Sequence, residues 1–292
     1  MPWVYFDARP YTFQVNFEGV SDFKRAVSGR PEEIDLFGAA IAIASLSGNR
    51  PDRSAVSREL DAIASGAISH AGGAVGESGL SQAIDFQLFT KLRFRGAVEG
   101  YGDPENSFLD RVIERRVGIP ISLSLVYMQV AERIGLHSEG VGYPGHFLVR
   151  VGQRESAFFV DPFNQGARLD TLELKARLES VELGGARADM FLVPVTHRQL
   201  LQRILNNLRR PFRRQRDVRC WRDTIELALC IEPWNHSLVG ERGMLSYRLG
   251  DLSRAVGDLE QFVESMDGQG ASESARRILG ELRSSLSSGG SE

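Results

Sequence analysis

His146 and Asp161 are the residues of this 292-residue chain best suited to chemistry. His146 lies in "YPGHFLVRV" (143–151) and Asp161 in "FFVDPFNQG" (158–166), each within an apolar stretch. A carboxylate beside an imidazole fixes its tautomer and stabilises its charged form, which is what a general base needs. The plainer alternative is a core imidazole satisfied by Asp161 or by backbone, with Asp161 as a turn residue, since "DPFN" is ordinary turn chemistry.

Whether the two meet depends on the elements that carry them. "HFLVRV" and "AFFVDPF" are short β-branched and aromatic runs separated by "GQRES" (152–156), which predicts a β-hairpin. A turn centred between Gln153 and Arg154 places residues whose numbers sum to 307 opposite each other, His146 and Asp161 among them. Opposed residues share a face, with Cβ atoms about 5 Å apart. A one-residue slip would separate them.

Just upstream, "ENSFLDRVIERRVGIPISLSLVYMQVAERIGL" predicts a short helix capped by Asn106 or Ser107 and running through Glu114. Gly118 breaks it, and Pro120 opens a second helix at the position where a missing N–H costs nothing. Leu123, Val126, Tyr127, Val130 and Ile134 give that helix an apolar stripe, and Gly135 closes it. Residues before Asn106 read as mostly helical, with "LFGAAIAIASL" (36–46) a core helix and "SHAGGAVGESG" (69–79) a loop. From Thr196 the chain is helical again. Within "VGERGMLSYRLGDLSRAVGDLEQFVESMDG", Gly243, the turn at "LGD", Ala255 and Leu259 are spaced as in a tetratricopeptide repeat. "SSLSSGGSE" is expected to be disordered.

A helix starting near Pro120, then strands with His146 and Asp161, resembles the transglutaminase-like, papain-related superfamily. There a nucleophilic cysteine begins a core helix, with His and Asp following on neighbouring strands. "NSFLDRVIERRVGIPISLSLVY", "GVGYPGHFLVR" and "VDPFNQG" are similar to one branch, the bacterial SirB-type family, from roughly Phe13 to Leu282. Its members join a transglutaminase-like domain to C-terminal tetratricopeptide repeats, and no reaction is established for them. The resemblance implies an α+β fold: a helix-rich transglutaminase-like (papain-related) domain with a small antiparallel sheet over 1–195, a TPR-like helical domain over 196–284 and a tail over 285–292. Counting back from "ERIG", the superfamily's G-x-C helix start falls on Gly118, Ile119 and Pro120. Proline stands where the cysteine would be. Cys220 and Cys230 lie far downstream in the helical region.

Ser122 is the replacement nucleophile to consider, against a first-turn serine bonded to backbone; Ser124 is the weaker choice. Asn106, Arg116 and Asn164 are candidates to line a cleft near His146, against capping, surface pairing and an Asx-turn. Arg150 shares His146's face if its strand is regular. Arg209–Arg219 holds six arginines and one aspartate, an anion- or nucleic-acid-binding strip or a solvated linker between helices. Net charge is −3 and aromatics are sparse around that strip, which disfavours nucleic acid. His70, His137, His146, His197 and His236 lack metal-ligand spacing, and no phosphate-cradling glycine loop is present, so no metal and no cofactor is expected. "MPWVYFDARPYTFQVNF" is not a signal peptide and no apolar run spans a bilayer, so a cytoplasmic protein without a membrane is expected. Three functions remain open: a noncatalytic protein- or peptide-binding scaffold, a hydrolase or acyltransferase using His146–Asp161 with Ser122 or water, and an arginine-strip nucleic-acid binder.

Overall fold

The computed structural model describes residues 18–30, 33–73, 76–153, 156–179, 187–265 and 273–288, the first and the last four by backbone alone. The N-terminal half is helical: α1 (Glu18–Val27), α2 (Leu36–Ala44), α3 (Arg53–Ala71) and α4 (Glu77–Asp85). α2 is capped by Asp35, whose side chain accepts the Gly38 N–H at 2.8 Å. Nearly every α2 residue is buried, as a helix apolar on all sides requires. The loop expected over 69–79 is shorter, because α3 continues to Ala71 and α4 begins at Glu77. A π-helical turn, Phe86–Lys91, extends α4.

β1 (Arg95–Gly96) pairs in parallel with β2 (Val117–Gly118), and α5 (Leu109–Arg115) lies between them. Asn106 falls in a 3-10 turn before α5, and Arg116, at φ 57°, ends α5 ahead of Gly118. α6 (Pro120–Arg133) starts at Pro120 as expected, but all its residues from Pro120 through Ala131 are buried. The apolar stripe read from sequence was therefore too narrow. α6 is the central helix, enclosed by α3, α4, α5 and a sheet, and its serines and Gln129 are inside.

That sheet is four-stranded and antiparallel, in the order β3 (Ser138–Val141), β4 (Leu148–Val151), β5 (Phe158–Asp161), β6 (Ala167–Leu169). Val149, Val151 and Val160 face the main core. Val141, Leu148 and Phe159 form a second core with Leu174 and Leu178 of α7 (Thr171–Glu179) and with Leu192. The hairpin is present with a different register. Val149 pairs with Val160 and Val151 with Phe158, so paired numbers sum to 309. The end of β4 is fixed from its other side: Ser138 pairs with Val151, and the Gly152 N–H donates to the His137 carbonyl at 3.0 Å. Arg154 and Glu155 of the expected turn lie outside the described residues.

Among the described residues the chain continues through α8 (His197–Gln215), α9 (Val218–Ile231), α10 (His236–Leu249), α11 (Leu252–Ser265) and α12 (Glu273–Ser288). The expected boundary at 195/196 coincides with the start of α8, yet not with the edge of a core. Leu200, Leu201, Ile204, Leu205 and Leu208 of α8, Ile225 of α9 and Leu245 of α10 belong to the same cluster as α2 and α6. A separate small core joins α11 to α12. Helix α12 runs to Ser288, past the start of the expected disordered tail, and 289–292 lie outside the described residues.

The arginine run is not a linker. Arg209–Gln215 completes α8, Arg216 at φ 58° ends it, and Asp217 caps α9 through the Cys220 N–H at 2.9 Å. Arg209 is ion-paired with Glu241, and Arg213 lies 5.8 Å from the Trp221 ring centroid. α10 and α11 pack closely where glycines allow it. A Cβ on Gly240 would meet the Phe262 ring at 2.5 Å, and one on Gly243 would meet Asp258 and Leu259 at 3.0 Å. No helix among the described residues is long and apolar enough to cross a membrane.

Candidate functional site

His146 is placed by a turn. Tyr143-Pro144-Gly145-His146 closes with the His146 N–H donating to the Tyr143 carbonyl at 2.9 Å, and Gly145 takes φ 68°. Pro at the second position and Gly at the third are what a type II turn requires. Asp161 ends β5 and caps the 3-10 turn Pro162–Asn164. Its Oδ1 accepts the N–H groups of Phe163 (3.1 Å) and Asn164 (3.2 Å), and its Oδ2 accepts Nδ2 of Asn164 at 2.7 Å.

The structure brings His146 and Asp161 together. His146 Nε2 lies 2.9 Å from both carboxylate oxygens. The Asp161 side chain is 6% exposed and that of His146 22%. Burial by itself raises the Asp161 pKa, but the hydrogen bonds from His146 and Asn164 outweigh it and hold the carboxyl below its usual range. With Nε2–H donated to Asp161, the neutral ring carries its lone pair on Nδ1. Among the described residues Nδ1 has no hydrogen-bond partner. The imidazole is thus oriented by the carboxylate.

Phe163 meets the His146 ring edge-on, with centroids 5.7 Å apart, and Tyr101 meets Phe163 edge-on at 6.5 Å. Phe163 is seated on Gly96 of β1, where a Cβ would lie 2.6 Å from the ring. Gly96→Ala is expected to push Phe163 away and destabilise the fold by about 1–3 kcal/mol. Urea unfolding and the His146 ring signals in NMR check this; unchanged signals would mean the ring does not hold His146.

Pro120 occupies the first position of α6. Ser122 is 1% exposed, and its hydroxyl is committed to backbone, donating to the Asn106 carbonyl at 2.6 Å and accepting the Ile119 N–H at 3.0 Å. Ser124 is equally enclosed, with Oγ 3.5 Å from the Phe147 carbonyl. Cys220 is half-buried on α9, where burial pushes its thiol up to about 12, and burial also raises Cys230. Neither is an activated thiolate.

Asn106 is buried beside the start of α6. Its Nδ2 donates to the Gly100 carbonyl at 2.9 Å, and its Oδ1 has no partner among the described residues. Asn164 touches Asp161 directly. Arg116 is exposed and donates to the Leu92 carbonyl at 3.2 Å. Arg150 faces Glu139 across the sheet at 3.0 Å. No three His, Cys, Asp or Glu side chains among the described residues form a metal site.

Sequence reading missed Arg203 of α8, which donates from Nη2 to the carbonyls of His146 (2.6 Å) and Tyr143 (3.1 Å). Nothing local signals a contact across 57 residues. It also missed Tyr101 and the role of Phe163, although "YPGH" and "DPFN" carried the turn chemistry that places both motifs.

A family model described as transglutaminase-like superfamily matches residues 54–206. The chain is 38% identical over 191 residues to a UPF0162 protein of Xylella fastidiosa (strain Temecula1), covering 62% of this chain and 66% of that one. It is 28% identical over 197 residues to a UPF0162 protein of Vibrio cholerae, covering 64% and 72%. It is also 28% identical over 210 residues to the F-box only protein 21 of Homo sapiens, covering 65% of this chain but 32% of that one. The chain thus spans a little under two thirds of the Xylella relative. No solved structure matches it. The matched segment takes in the central helix, the His146 turn, the Asp161 cap and the first half of α8, and the chain belongs to the transglutaminase-like superfamily.

Proposed function

We propose that this protein is a noncatalytic transglutaminase-like protein of the SirB type, a scaffold that holds a protein or peptide in the His146 cleft and on its C-terminal helices. The observation that carries the reading is Pro120 at the start of α6, where the superfamily's cysteine would stand. The enclosure of the Ser122 hydroxyl adds support, because neither replacement position offers a free nucleophile to His146. The α10–α11 pair, locked through Gly240 and Gly243, fits a tetratricopeptide-like unit. The recurrence of a similar stretch within the longer F-box only protein 21 fits a portable binding module.

One observation favours a second reading. His146 and Asp161 keep the geometry of a base and its orienting carboxylate, which suits hydrolysis by activated water. A fluorophosphonate probe read by mass spectrometry, together with an amide-turnover assay, separates the two. The scaffold reading expects no adduct on Ser122 and turnover no higher than in His146→Ala. An adduct or turnover that disappears in His146→Ala would replace it with the hydrolase.

A further inference from the structure

Arg203 brings a positive charge to the His146 turn without an acid to meet it. Its side chain is half-buried on α8. One nitrogen, Nη2, serves the two loop carbonyls, and the guanidinium carbon lies 5.5 Å from the Phe147 ring centroid. Among the described residues no carboxylate comes within ion-pair distance of it. Of the other half-buried arginines of the helical region, Arg209, Arg222 and Arg242 each meet a carboxylate, whereas Arg198 of the same helix is held, like Arg203, by two backbone carbonyls. Burying a guanidinium is costly unless a counter-charge accompanies it, and carbonyl dipoles supply only part of one. Consistent with this, burial lowers the Arg203 pKa, and the neighbouring Tyr101 phenol only partly opposes the effect.

Nε and Nη1 of Arg203 make no hydrogen bond to a described residue. They are also not among the sealed, unpartnered polar atoms, which include Nε of Arg111 and of Arg209. Tyr101 is 49% exposed and leans on Phe163, which leans on His146. A guanidinium with spare donors, a phenol and an imidazole thus converge on the His146 turn: Tyr101 and His146 through the Phe163 ring, and Arg203 through the turn's own carbonyls.

We infer that this convergence is a carboxylate-binding subsite, in which Arg203 takes the acidic group of a peptide while Tyr101 and His146 flank it. The inference rests on the reading of the cleft as a peptide-binding site. A single guanidinium matches a carboxylate monoanion in charge, and with Nη2 held by the loop carbonyls the spare Nε–H or Nη1–H supplies the charge-assisted hydrogen bond to it. A phosphoryl dianion would call for a second cation. The carboxylate comes either from an aspartate or glutamate side chain or from a chain terminus.

The test uses the full chain with histidine-selective isotope labelling and follows the His146 ring signals by NMR. Four probes are titrated: an acetylated, amidated Ala-Asp-Ala peptide, an acetylated tri-alanine with a free carboxylate, the same tri-alanine amidated, and inorganic phosphate. Saturable shifts with one or both carboxylate peptides, and none with the amidated tri-alanine, are expected. The tighter carboxylate peptide identifies the source. Arg203→Lys should weaken that peptide by about tenfold or more, since a single ammonium cannot hold the two loop carbonyls and a carboxylate in the directions the planar guanidinium serves. Tyr101→Phe, at an exposed position that leaves the fold intact, should weaken it by a smaller factor. The inference is overturned if the amidated tri-alanine shifts His146 as much as the charged peptides, or if neither charged peptide shifts it at tens of millimolar. Phosphate binding more tightly than both peptides would also overturn it. The two readings fail separately. Amide turnover would remove the scaffold and leave carboxylate capture standing, whereas equal binding of the neutral peptide would remove carboxylate capture and leave the scaffold.

Discussion

Asp161→Asn is expected to destabilise the protein by about 3 kcal/mol at neutral pH, the usual scale for leaving buried hydrogen-bonding groups mismatched around a lost charge. Asp161 receives two backbone N–H groups, the Asn164 amide and His146 Nε2, all of them donors. An amide nitrogen in place of one oxygen would turn a donor toward donors. The pH dependence has a defined sign. The folded carboxyl titrates below its unfolded value, because the donors from His146 and Asn164 overcome the opposing effect of burial. Its contribution is therefore complete above the unfolded carboxylate pKa of about 4, and it is lost as pH falls through the lower folded value. The gap between wild type and Asp161→Asn in urea unfolding should close on acidification below about pH 4. A gap that stays constant from neutral to acid pH would mean that the charge is not what holds the turn.

Arg242→Met is expected to cost about 3–5 kcal/mol, as breaking buried ion pairs does. Arg242 ties three helices together: it meets Glu226 of α9 at 2.7 Å and both oxygens of Asp258 of α11 at 2.8 Å. Its side chain is 15% exposed, and that of Asp258 9%. Removing the arginine leaves Asp258 buried without its counter-charge and Glu226 with only Arg254, 3.0 Å away. Faster hydrogen exchange across α10 and α11 should accompany the loss. The double variant Arg242→Met with Asp258→Leu should recover part of it, because the stranded charge is then gone. A double variant as unstable as the sum of its parts would refute the pairing as the cause.

How far the fold could be read from sequence varied with the range of the forces that set each element. α6 was legible because its signals are local: a proline suited to a first turn, an apolar run and a closing glycine. The hairpin was legible as two runs and a gap, but its register was not, since pairing with β3 and the Gly152–His137 bond set where β4 ends. The His146–Asp161 contact survives that error for a physical reason. Moving from a sum of 307 to one of 309 is a two-residue slip, and an even slip keeps side chains on the same face. His146 itself precedes β4, on a turn that the hairpin reading had absorbed into a strand. The arginine run misled because Pro211 and dense charge suggest a break, while Pro211 and Phe212 are buried on α8. Arg203 was invisible for the opposite reason: its partners are backbone atoms of a distant loop, which leave no pattern of residue types to read.

The way α8 closes the main core also bears on the order in which the chain can assemble as it is made. Arg198 at the start of α8 binds the carbonyls of Val27 and Gly29, across 171 and 169 residues. The core that begins with Phe23 is completed by Leu238, Val239 and Leu245 of α10. A growing chain therefore leaves apolar sides of α2 and α6 uncovered until α8 has been made. Such non-local closure is slow and leaves sticky surface uncovered in the interim. The segment that the family model matches thus does not close its own core, and the C-terminal helices are the part of the molecule that finishes it.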